Sequence, residues 1–223
     1  MAEAPSGDFL LRGDVVRLQH LAYRFALDFD ASQQALDTAA ELYRRAGTIV
    51  EPANVLTNRA EILAWTDPAQ AVNAAAQAIE VQTELGAFHE LGKAYTALAI
   101  AQTRRGHLEE ATVSFQTAAE ALERARYRSG RARAELFCAF LHARRGRLDA
   151  ALASARWSVE ELIAAEVYPT LIMMAEQFLE AIAMADPEIS AAAERARGQI
   201  QPLDSLDTLQ ARTAALVTAL LES

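Results

Sequence analysis

The chain has 223 residues, of which 52% are hydrophobic and 23% charged, and a formal net charge of −9. That composition can bury a core and excludes a disordered tail or a collagen-like chain. Nine glycines and six prolines are too few for the turns of an all-β sandwich or barrel, and the acidic balance argues against nucleic acid as a direct partner.

Residues 1–8 are polar and hold no basic stretch followed by an apolar run, so a flexible N-terminus without a signal peptide is expected. Amphipathic spacing then predicts helices near 9–27, 32–46, 52–65 and 69–84. Asp67-Pro68 marks the start of the fourth, with Asp as N-cap and Pro at the first helical position. Further helices are expected near 88–105, 108–126, 129–145, 148–165, 168–185 and 188–199, the last opened by Asp186-Pro187. A final helix near 205–221 follows Pro202, with Ser205 as its cap. No apolar run is long enough to span a membrane, because Glu176, Gln177 and Glu180 interrupt the best candidate.

These elements repeat. Residues 104–111 read RRGHLEEA and residues 144–151 read RRGRLDAA, an offset of 40. Steps of 40 from Ala111 meet Ala151 and Ala191 in one direction and Ala71 and Ala31 in the other. Gly47 and Gly86 supply a second break in each unit. Two helices in a 40-residue period are the signature of an all-α solenoid. The expected architecture is about five antiparallel helix pairs in one domain over 1–223, closed by a capping helix at 204–223.

The residues resemble tetratricopeptide repeats (TPR). Leu98-Ala99, Gly106 and the trio Ala111, Phe115 and Ala118 match the large–small pair, inter-helix turn and second-helix pattern of that family. Cys138-Ala139, Gly146 and Ala151 repeat the pattern in the fourth unit, and Ala71, Ala75 and Ala78 in the second. The period is longer than the family's, and the tryptophan and tyrosine of its first helix are mostly absent. This long, alanine-rich form is similar to the arrays of bacterial signalling ATPases and LuxR-type ATP-dependent regulators. The resemblance implies a cytoplasmic, non-catalytic scaffold that binds a protein or peptide.

The residues themselves offer little chemistry. His20, His89, His107 and His142 hold no metal-binding spacing, and neither phosphate-binding glycine motif occurs, so no metal or cofactor is expected. The one cysteine, Cys138, lies in an apolar run and rules out an intramolecular disulfide, consistent with a reducing compartment. Arg12-Gly13-Asp14 is read as chance. No acid–base or nucleophile constellation supports an enzyme.

The register implied by the resemblance points one face of each first helix into a concave groove. That face carries Thr57, Asn58 and Glu61, then Lys93, Thr96, Ala97, Ile100 and Arg104, then Arg133, Phe137, Phe140 and Arg144, and finally Met173, Gln177 and Glu180. The expected peptide-binding set is Asn58, Lys93, Thr96, Ile100, Arg104, Arg133, Phe137, Phe140, Arg144 and Gln177. Aromatics beside arginines suit an extended segment with acidic and apolar side chains. Either phenylalanine could instead pack on its neighbouring helix. Two alternatives stand: a sensor with a deep apolar pocket for a small molecule or signalling peptide, and a homodimer through the stripe Leu206, Leu209, Ala215, Leu216 and Leu220.

Overall fold

The computed structural model describes residues 6–166, 169–199 and 206–222. Its helices are α1 (Ser6–Phe25), α2 (Phe29–Ala46), α3 (Val50–Thr66), α4 (Pro68–Glu84), α5 (Phe88–Arg104), α6 (Leu108–Arg124), α7 (Arg128–Arg144), α8 (Leu148–Ala164), α9 (Pro169–Ala181), α10 (Pro187–Gln199) and α11 (Leu206–Glu222). Among the described residues there is no strand. Every expected helix is present. The expected flexible N-terminus lies outside the described residues over 1–5, whereas 6–8 open α1. Pro202 and the proposed cap Ser205 also lie outside them.

Local signals set the helix ends. Asp67 accepts from the backbone N–H groups of Ala69 and Gln70 at 3.1 and 3.0 Å, and Asp186 from those of Glu188 and Ile189 at 3.0 Å each. Gly47, Gly86, Gly106 and Gly146 take the left-handed conformation, with φ between 64° and 78°. Leu27, Arg126, Glu166 and Ala183 occupy the same conformation without being glycine. Those breaks carry no glycine to announce them. Ala183 in this conformation closes α9 at Ala181, short of the 185 that periodicity suggests.

Consecutive helices pair as α1–α2, α3–α4, α5–α6, α7–α8 and α9–α10, and α11 packs on α9. Small side chains let the helices approach. Ala71, Ala75, Ala78, Ala111, Ala118 and Ala151 are fully buried. Gly92 marks a close approach of α5 and α6: a β-carbon there would lie 2.4 Å from Leu122 Cγ and 3.2 Å from the Ala118 carbonyl oxygen. The main core runs from Ala60 to Leu220, while Leu36, Ala39, Tyr43, Val55 and Ile62 form a separate small core under the first unit. There Asp14 accepts a hydrogen bond from the Tyr43 hydroxyl at 2.9 Å, and the same ring lies against Gly13. The tripeptide read as chance thus has a packing role.

Superhelical curvature brings the ends of the array together. Thr170 Oγ1 donates to the Phe25 carbonyl oxygen at 3.1 Å, across 145 residues of sequence. Arg212 of α11 donates to the Ala26 carbonyl oxygen at 2.9 Å and lies 3.6 Å from Asp28. Of the stripe read as a dimer face, Leu209 and Leu220 are buried inside the chain, Leu216 is half-buried and Ala215 is exposed.

Candidate functional site

Helices α1, α3, α5, α7 and α9 line the inner side of the curve, and an apolar pocket lies where they converge. Phe25, Leu27 and Phe29 come from the α1–α2 corner, Trp65 from α3, Ile100 from α5, Phe137 from α7, and Leu171 and Met174 from α9. The pocket encloses about 60 Å³ and opens to solvent at its mouth. The Trp65 ring meets Phe137 edge-on at 5.1 Å and stacks towards Phe29 at 6.4 Å. Thr96 and Thr170 add hydroxyls, but these already donate to the Gly92 and Phe25 carbonyls.

One wall of this pocket is charged. Glu61, 5% exposed, pairs with Arg24 at 2.8 Å and with Arg133, and lies 3.7 Å from Lys93 Nζ. Lys93 also pairs with Glu90 at 2.9 Å and donates to Asn58 Oδ1 at 3.1 Å. Burial penalises the Glu61 carboxylate, yet the charges of Arg133, Arg24 and Lys93 outweigh that and hold its pKa far below the usual range. Glu90 is also held below its ordinary value: its burial is outweighed by a hydrogen bond from His89 and by Lys93. Behind Arg24, His20 is fully buried and shares a 2.9 Å hydrogen bond with Ser32 Oγ. Burial, then the charge of Arg24, lowers its pKa to about 4.

On the far side of the Arg24–Arg133 wall lies a second recess of about 160 Å³, between α1, α3, α5 and α7. Its lining mixes apolar surface from Leu21 and Phe25 with Arg17, Asn54, Asn58, Glu90 and Lys93 beside the two wall arginines. The Tyr127 and His89 rings meet edge-on at 4.3 Å.

The structure gathers Thr96, Ile100, Arg133 and Phe137 around the apolar pocket, and Asn58, Lys93 and Arg133 around the second recess. Four other expected residues are engaged elsewhere. Arg104 donates to the Ala64 carbonyl at 2.9 Å and to the Trp65 carbonyl at 2.5 Å, and Arg144 donates to the Thr103 carbonyl. Each thereby satisfies the C-terminal carbonyls of the preceding inner helix. Phe140 is fully buried and packs on Phe178 at 4.1 Å, which realises the packing alternative for that ring. Gln177 Nε2 donates to the Gln210 carbonyl of α11 at 3.4 Å.

Sequence reasoning missed Arg24, Phe25, Phe29, Trp65, Leu171 and Met174. One signal pointed to Arg24: counting back in steps of 40 from Arg144 and Arg104 passes Ala64 and reaches it. Among the described residues no group of His, Cys, Asp or Glu side chains could hold a metal ion. Burial, reinforced by Glu135, raises the Cys138 thiol to about 12, which leaves it un-ionised. No helix among the described residues is long and apolar enough to cross a membrane.

A family model described as Soluble NSF attachment protein, SNAP, matches residues 20–204. Comparison with curated proteins finds no match. Among solved structures, the crystal structure of Rap protein complexed with Competence and Sporulation Factor is similar, with a TM-score of 0.67 at 14% identity. The likeness covers 93% of this chain and 55% of that one, so this chain spans about half its length. It supports a TPR-like helical-repeat fold.

Proposed function

The chain belongs to the soluble NSF attachment protein family, and on that premise we propose that it is a non-catalytic scaffold whose concave face takes a segment of a partner protein or peptide. The observation that carries this reading is the apolar pocket walled by Arg24, Glu61 and Arg133. An apolar side chain of the partner enters between Trp65, Ile100, Phe137 and Met174, and an acidic neighbour meets the arginines. The similar Rap structure holds a bound factor, which supports an occupied array as a working state of this fold. A cytoplasmic role in bacterial signalling, beside an ATPase or regulator, belongs to the same proposal.

Ala97 makes the test clean. It lines the pocket at the position equivalent to Phe137, one 40-residue step away. Ala97→Met projects into the pocket, and a melting temperature close to that of the native chain checks that the added side chain has not strained the core. Affinity capture from source lysate is expected to yield a specific protein with the native chain and to lose it with Ala97→Met. Capture unaffected by the substitution, or no capture at all, overturns the groove assignment. The convergence of six helices, α1, α2, α3, α5, α7 and α9, on the pocket favours one second reading, a sensor for a small apolar molecule or a short signalling peptide. Thermal stabilisation by such compounds, abolished by Ala97→Met and without a captured protein, identifies that case.

A further inference from the structure

Residues 124–133 read RARYRSGRAR, five arginines and no acidic residue, in a chain whose net charge is −9. Arg133 turns inward to Glu61. The other four gather around the α6–α7 turn, at the edge of the array where the inner helices begin. A recess of about 340 Å³ opens there, lined by Glu123, Arg126, Tyr127, Arg128, Arg131 and the indole of Trp157 from α8. It shares Tyr127 with the recess behind the Arg24–Arg133 wall and no residue with the apolar pocket. Two of its arginines have local partners. Arg128 pairs with Glu161, and Arg131 lies 3.5 Å from Glu123 and 5.3 Å over the half-buried Trp157 ring. Arg124 and Arg126 are held differently. Arg124 covers the Phe88 ring at 3.8 Å, and Arg126 stands exposed on the turn with φ of 53°. Among the described residues neither has a carboxylate in contact.

We propose that this edge is a second docking surface, separate from the concave face, for an acidic segment of a partner protein that also carries an aromatic or aliphatic side chain. Trp, Tyr and Arg dominate the energy of protein–protein contacts, and here they frame one recess. The apolar side chain enters against Trp157, and flanking carboxylates meet Arg126 and Arg124. A guanidinium offers a carboxylate two parallel N–H groups, and Arg126 has both to give without breaking an existing pair. Glu123 and Glu161 decide the class of partner. They stand on α6 and α8 at either side of the patch, so the continuous phosphates of a nucleic acid meet like charge there, and the overall charge of the chain repels them further. A polypeptide can set separate carboxylates between the two. This surface requires nothing of the concave pocket, empty or filled.

The probe is a fluorescein-labelled blocked peptide in which glutamates flank a phenylalanine, titrated with the full chain and followed by anisotropy. Saturable binding is expected, with none for the glutamine counterpart, and added salt weakens it. Arg126→Glu, at an exposed position without an ion pair, is expected to keep the fold and weaken binding about tenfold or more. Arg124→Glu acts in the same direction and serves as the second variant should the first disturb the turn. In a Trp65→Phe background Trp157 is the sole tryptophan, and its emission is expected to shift with the same saturation curve. Binding by neither peptide, or binding indifferent to both substitutions, overturns the surface. Tighter binding of a single-stranded oligonucleotide, lost with Arg126→Glu, also overturns it by assigning the patch to phosphates. Ala97→Met leaves this binding intact; loss with Ala97→Met and not with Arg126→Glu sends the peptide to the concave pocket and overturns the edge site.

Discussion

In the middle of the array each helix from α3 to α8 is 17 residues long, whereas α1 and α2 run to 20 and 18 and α9 and α10 to 13. The central units stack through repeated alanines around one continuous core. The first unit has its own small core around Tyr43 and joins the rest through particular contacts, namely Arg24 on Glu61 and Phe29 over Trp65. The division of labour follows from geometry. Regular stacking requires every unit to resemble its neighbour, so the centre has little room for special residues. The ends are under no such constraint, and the α1–α2 corner and α9 supply much of the pocket wall. The structure thus uses its regular part as a frame and its irregular parts to differentiate the site.

The largest expected effect comes from breaking the link between these regions. Glu61→Gln removes the buried carboxylate that Arg24, Lys93 and Arg133 share. Removing one partner of a buried ion pair costs about 3–5 kcal/mol, which lowers the melting temperature by roughly 10 °C in a chain of this size. Amide exchange in α1 and α2 is expected to accelerate ahead of that in α5–α8. The native protein should show the same dependence on pH. Glu61's folded pKa is depressed, so its contribution is complete above the unfolded value of 4.5 and is lost as pH falls below it towards the folded value. Calorimetric melts of both proteins between neutral and acidic pH check this. A substitution that leaves the melt and its acid dependence unchanged would show that the cluster does not join the ends to the frame.

A smaller effect tests the frame itself. Arg104 and Arg144 stand one 40-residue step apart and perform one task, donating to the end of the preceding inner helix. Arg104→Ala and Arg144→Ala should each cost about 1.5 kcal/mol in urea unfolding. Similar values for the two, and additivity in the double substitution, would confirm that the central units are equivalent. Unequal values would place one of these arginines with the site rather than with the frame.

The same two arginines show what was legible in the sequence. Apolar spacing, Asp-Pro starts and turn glycines are local signals, and with the 40-residue offset they located each helix among the described residues, though not the glycine-free end of α9. Register along one helix face is also local, and it set Asn58, Lys93, Thr96, Ile100, Arg133 and Phe137 on the inner face, where they line the two recesses. It could not say whether a side chain on that face ends at a carbonyl of the neighbouring helix, as Arg104 and Arg144 do, or in open space. Nor could it show which units meet across the curve. Phe25 and Thr170 come together through the small rotation accumulated over five helix pairs, and no pattern near either residue encodes it. Met174, which that register did not select, lines the pocket, while its neighbour Met173, placed on the groove face, is fully buried away from it.

The smallest effect concerns the turns that carry no glycine. Arg126 has φ of 53° between α6 and α7, while Gly146 has φ of 70° between α7 and α8. A side chain in this conformation brings its β-carbon close to the following carbonyl oxygen, at a cost of about 1 kcal/mol. Arg126→Gly removes that strain but adds freedom to the unfolded chain, so a net gain of about 0.5 kcal/mol is expected. Gly146→Ala should do the reverse and cost about 1 kcal/mol. Nothing lies within 4 Å of where its β-carbon would fall, so the cost is conformational and not a clash. Opposite signs in chemical unfolding would show that the turns are interchangeable around the array, with glycine a refinement and not a requirement. A loss at Arg126 instead would mean that its exposed side chain makes a contribution exceeding the strain, and that this turn belongs with the specialised parts of the molecule.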